Sequence, residues 1–110
     1  MKTHMLKIHS QYFYDVKSGR KTFEIRKNDR LFKAGDLLFL SMYEPLSNTY
    51  RDQHLLAEIT YMTNLKIIGK EDYAVLGIKL IDSKFINLSY LFSLQSEEEI
   101  SKILNNHLPF

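Results

Sequence analysis

Residues 37–42, Leu-Leu-Phe-Leu-Ser-Met, form a nearly continuous apolar run with a turn signal at Ala34-Gly35-Asp36 before it and Glu44-Pro45 after it. A short apolar run bracketed in this way is a buried strand. Leu6-Lys7-Ile8 alternates apolar and basic residues as a half-buried strand does. Residues 21–27 predict a second strand, with Phe23 and Ile25 anchored in the core and Thr22, Glu24 and Arg26 on the opposite face. Residues 55–62 and 73–81 predict two more. Residues 85–94 are ambiguous between a buried helix and a sixth strand.

Two helices fit the remaining pattern. In residues 10–18, Ser10 is the expected N-cap, Phe13 and Val16 fall on one face, and Gly19 stands where a helix-terminating glycine belongs. Ser96-Glu97-Glu98-Glu99 reads as a capping box, and a helix over residues 97–106 places Ile100, Ile103 and Leu104 on one stripe. Residues 46–52 and 63–72 read as loops, the second containing Gly69. The strands lie too close together for repeated βαβ crossovers. The expected class is therefore α+β: a small barrel of five to six mixed or antiparallel strands, with one early and one C-terminal helix.

With 110 residues, the chain is long enough for one domain, read as residues 1–110, with 82–110 an extension packing on the barrel. It has no cysteine, hence no disulfide framework, thiolate metal site or thiol nucleophile. No stretch is apolar enough for a signal peptide or a membrane span, so the expected location is cytoplasmic, with no membrane partner. The four histidines show no metal-ligand spacing, and neither a metal nor a cofactor is expected.

The formal charge of +2 conceals an asymmetry: residues 1–33 carry nine Lys or Arg against three acids, and residues 34–110 carry six against ten. Such one-sidedness creates a field that steers a polyanion, although charge runs also simply decorate solvated faces. The basic third also holds the densest polar pattern. On a strand, Glu24 and Arg26 stand about 6.6 Å apart on one face. Lys21 enters from the preceding turn, and Lys7 lies on a neighbouring strand. Arg26 supplies a donor fork for a phosphate or a base edge, Lys21 a point cation, and Glu24 a bracket for Arg26 or an acceptor for an exocyclic amine. Taken alone, Glu24 and Arg26 are an ordinary ion pair of little worth. Tyr12, Tyr43 and Tyr50 border turns or loops, where an aromatic can stack on a base, and Tyr50 is followed by Arg51.

Gly19-x-Lys21-x-x-Glu24-x-Arg26 resembles the GxKxxExR signature of ASCH domains, which share the PUA-like β-barrel fold. The longer run from Gly19 through Arg30, with His4-x-Leu6-Lys7, Tyr12-Phe13 and Gly35-Asp36, is similar to an uncharacterised bacterial and phage subgroup of ASCH-like proteins. The resemblance covers roughly residues 4–80. It implies a PUA-like barrel and an RNA or nucleotide ligand in a cleft between the barrel and its early helix. Lys7, Lys21, Glu24, Arg26, Asn28 and Tyr50 are the candidate nucleic-acid-binding residues. The alternative is a small hydrolase acting on an acylated nucleoside, with Lys21 and Glu24 as its catalytic groups. Some small ASCH proteins are amidohydrolases that deacetylate acetylcytidine, with a lysine that Lys21 matches and a threonine nucleophile where this chain has Glu24. A carboxylate cannot simply stand in for a hydroxyl activated by a base.

Overall fold

The computed structural model describes residues 1–108. Its elements run β1 (Thr3–His9), α1 (Ser10–Lys17), β2 (Phe23–Lys27), β3 (Leu37–Glu44), β4 (Thr49–Leu65), a 3-10 turn (Lys66–Ile68), β5 (Lys70–Leu80), α2 (Leu88–Leu94) and α3 (Glu97–His107). The strands form one mixed sheet in the order β1-β3-β4-β5-β2. Only the β1–β3 pair is parallel, and the chain reaches it by crossing over through α1 and β2. The other pairings are antiparallel.

Register shifts between Ser41 and Tyr43, between Ile59 and Tyr61, and between Asn64 and Leu65 interrupt the ladders. Extra residues of this kind bend a strand and increase its twist. The sheet curls into a half-barrel with β1 and β2 at its open edges. The fold is thus α+β, as the pattern of runs and turns predicts, and it is consistent with a PUA-like barrel.

The apolar run at 37–42 is buried along its whole length because both faces of β3 are covered. Leu38, Leu40 and Met42 join Ile8, Phe13, Val16, Ile59 and Leu76 inside the curl, under α1. Leu37 and Phe39 face the other way, onto Leu91 of α2 and Ile100 and Leu104 of α3. The 82–108 segment thus lays its apolar stripe on the outer face of the sheet.

That segment also clamps an edge. In β1, the outward main-chain amide of Thr3 donates to Ser101 Oγ at 3.0 Å, and that of Met5 to Glu97 Oε1 at 2.9 Å. At the start of the same strand, buried His4 meets Asp36 (Nε2 to Oδ2, 2.9 Å), while the Lys2 amide donates to the other Asp36 oxygen at 3.1 Å.

Four expectations are corrected. The possible sixth strand is α2: Asn87 Oδ1 caps it by accepting from the Tyr90 amide at 3.0 Å, and Gln95 ends it in a left-handed conformation at φ 54°. Tyr50 and Arg51 lie on β4 and not in a loop, since that strand begins at Thr49. The loop expected over 63–72 shrinks to the 3-10 turn and Gly69, whose φ is 77°. Ser10 does not cap α1; its hydroxyl donates to Glu44 Oε2 at 2.6 Å, and His9 occupies the cap position.

Candidate functional site

The alternation along β2 is as the sequence predicts, but its sense is reversed. Phe23 and Ile25 are 45% and 48% exposed, whereas Glu24 is 4% exposed. Glu24 lies opposite Leu76 and Arg26 opposite Ala74, both fully buried, so the polar face of β2 looks into the curl. An edge strand has one flank and an outer face open to water. Its apolar residues can stay half-exposed while a carboxylate goes in, provided that carboxylate is paired.

Glu24 is paired twice. Lys21 Nζ reaches Oε1, and Arg26 Nε donates to Oε2 at 2.9 Å. Lys21 Nζ also donates to the Phe23 carbonyl at 2.8 Å. Arg26 Nη2 crosses the gap between the two edge strands and donates to the Lys7 carbonyl at 2.6 Å. Two of the five guanidinium N–H groups are thereby used. The rest of the fork and the Lys21 ammonium stay accessible, the two side chains being 26% and 20% exposed.

These groups line a cavity of about 480 Å³ between β1, α1 and β2. Lys7, Ile8 and His9 form one wall, Tyr12 the helix side, and Lys21 with residues 23–26 the other wall. The Tyr12 and Phe23 rings flank the Lys21 ammonium, with centroids 5.5 and 5.1 Å away. Three cations line this cavity against one carboxylate, and two of them, Lys21 and Arg26, engage its two oxygens.

A second cavity of about 280 Å³ adjoins the first and shares Lys7 and Arg26 with it. Tyr50 lines it, together with Arg30 and Phe92. Lys7 Nζ sits 4.3 Å from the centroid of the Tyr43 ring, and Tyr43 packs edge-on against Tyr50 at 5.2 Å.

The structure thus brings Lys7, Lys21, Glu24 and Arg26 together and sets Tyr50 in the neighbouring hollow. It places Asn28 elsewhere: its Oδ1 accepts from the Phe32 amide at 3.3 Å and closes the turn after β2. Thr22 is exposed and stands just before β2, outside the cavity lining. His9, Arg30 and Phe92 belong to the cavity walls without having been singled out from sequence. Arg30 lies within the motif run, but Phe92 depends on α2 being a helix, for which the sequence carries only the Asn87 cap signal. Among the described residues, no three His, Asp or Glu side chains converge as a metal site would require.

A family model described as a domain of unknown function, DUF3850, matches residues 3–78, which span β1 to nearly the end of β5. An uncharacterised 12.9 kDa protein encoded in the GpA 3′ region of Escherichia phage P2 is 37% identical over 75 residues. That match spans 68% of this chain and 66% of the phage protein.

Proposed function

Since the chain belongs to the DUF3850 family, whose matched segment contains every residue of the larger cavity, we propose that this cavity is the ligand site of an RNA- or nucleotide-binding module. The observation that carries this reading is the clamp on Glu24. A buried carboxylate holds Lys21 and Arg26 in fixed positions with donors left over, inside a hollow flanked by half-exposed aromatics. Preorganised cations suit phosphate, and the planar fork of arginine suits a phosphate or a base edge. Half-exposed Tyr12 and Phe23 offer faces on which a base can stack. The concentration of basic residues in the first 33 positions supplies the long-range attraction.

The resemblance to the ASCH signature supports the same ligand class, since three of its four positions, Lys21, Glu24 and Arg26, line the cavity. Binding is placed ahead of hydrolysis of an acylated nucleoside for one reason. A general base must reach the proton it takes, and Glu24 is buried, held beneath Lys21 and Arg26.

Titration of the full chain with fluorescently labelled single-stranded RNA at low salt tests the proposal. Binding is expected, weakened at least tenfold by Lys21→Ala and by Arg26→Ala. A chain that binds no RNA or nucleotide, or whose affinity ignores both substitutions, overturns it.

A further inference from the structure

The second cavity is more than an annex to the first. Lys7 and Arg26 line both hollows, and the Lys7 ammonium lies 5.9 Å from the centroid of the Tyr50 ring. Each hollow has its own aromatics: Tyr12 and Phe23 in the larger, Tyr50 and Phe92 in the smaller. Two aromatic hollows separated by a cationic ridge match two nucleosides joined by one phosphodiester. We infer that the smaller cavity receives the neighbouring nucleotide of a single-stranded RNA, its linking phosphate resting on Lys7 and Arg26. This inference rests on the larger cavity being a nucleotide site.

The state of Tyr50 supports the assignment. Its ring is braced edge-on by Tyr43 at 5.2 Å and tilted against Phe92 at 5.0 Å, yet the residue is 44% exposed. An aromatic already immobilised by its neighbours loses little rotamer freedom on stacking with a base. Among the described residues no carboxylate lines this hollow, and Arg30 adds a third cation. Arg30 is held there by Glu97 of α3 at 2.6 Å. Phe92 and Glu97 both lie beyond residue 78, where the family match ends. The second subsite is therefore built partly by this chain's own C-terminal segment.

Calorimetric titration of the full chain with ribonucleoside 5′-monophosphates and with the corresponding homodinucleotides tests the inference. The dinucleotide is expected to bind about tenfold tighter. Tyr50→Ala and Tyr50→Leu should bring dinucleotide affinity down to that of the mononucleotide, and Tyr50→Phe, which keeps the ring, should retain the gain. If mononucleotide and dinucleotide bind equally, or if the gain survives Tyr50→Leu, the second subsite is refuted while the first stands. If neither ligand binds, both readings fall together.

Discussion

Arg26 and Lys7 tie the two open edges of the sheet together: the guanidinium Nη2 of one strand donates to the main-chain carbonyl of the other at 2.6 Å. The same guanidinium holds Glu24 through its Nε at 2.9 Å. Arg26 is therefore at once a seam between β1 and β2, a counter-ion for a buried carboxylate, and a candidate ligand contact.

Replacing Arg26 separates those roles. Arg26→Ala leaves Glu24 with Lys21 alone and strands the Lys7 carbonyl, so a stability loss of about 1–3 kcal/mol is expected in urea denaturation. Arg26→Lys should recover little of it, because one ammonium cannot reproduce a fork that bonds Glu24 and Lys7 together. Equal denaturation midpoints for wild type and both variants would mean that the seam contributes nothing.

Salt provides a check on the ligand class. If phosphates are what the cations meet, affinity for RNA falls linearly with salt on a double-logarithmic plot. Lys7→Ala should lower the steepness of that plot by about 1, the share of one phosphate contact. A flat plot, or a slope that Lys7→Ala does not change, points to recognition without phosphate at Lys7.

The packing of α3 on the sheet has a stability consequence. Ile100 and Leu104 are fully buried against Leu37 and Phe39. Leu104→Ala should cost about 2–5 kcal/mol, and far-UV and near-UV signals should still melt together. Two separated transitions would show the C-terminal helices to be an appendage rather than part of the cooperative unit.

Two of the groups that shape the acid side of the stability curve are His54 and Asp36. His54 lies between the rings of Phe39 and Phe92, with centroids 5.4 and 4.7 Å away. Burial lowers its pKa below the ordinary 6.5, an effect that Asp52 only partly offsets. The folded state thus prefers neutral His54, so stability is full above pH 6.5 and declines as pH falls from there toward the folded value. For Asp36, burial acts upward, but the His4 hydrogen bond and the Lys2 and Lys33 amides outweigh it and bring the pKa below 3.8. Its contribution is present above pH 3.8 and is lost as pH falls through the lower folded value. Urea midpoints followed across this range should show both declines, and His54→Gln should flatten the one that begins just below pH 6.5. An unchanged profile in that variant would remove His54 from the account.

Much of this architecture is legible in the residues themselves. Turn chemistry at Ala34-Gly35-Asp36 and the apolar run after it mark β3, and Ser96 marks the start of α3. Gly19 ends α1 with φ at 82°, a conformation that costs glycine little. Alternation likewise assigns Glu24 and Arg26 to one face of β2. What alternation cannot supply is which face turns inward. Hydrophobicity argues for Phe23 and Ile25, yet on an edge strand the doubly paired Glu24 goes in; its partners Lys21 and Arg26 are local, but the Lys7 carbonyl that Arg26 also meets is brought up only by the curled sheet. Periodicity likewise leaves residues 85–94 undecided. There the cap at Asn87 and the demand for cover over Leu37 and Phe39 select a helix, and the second requirement is tertiary.

The two side chains that α3 sends to β1 have an effect on self-assembly. β-rich chains run into fibres when a strand with unpaired amides templates the strand of another molecule. Ser101 and Glu97 occupy the amides of Thr3 and Met5 and so blunt that edge. A chain cut after Leu80 would bare those amides together with Leu37 and Phe39, and sedimentation of that truncated chain is expected to show self-association that the full chain lacks.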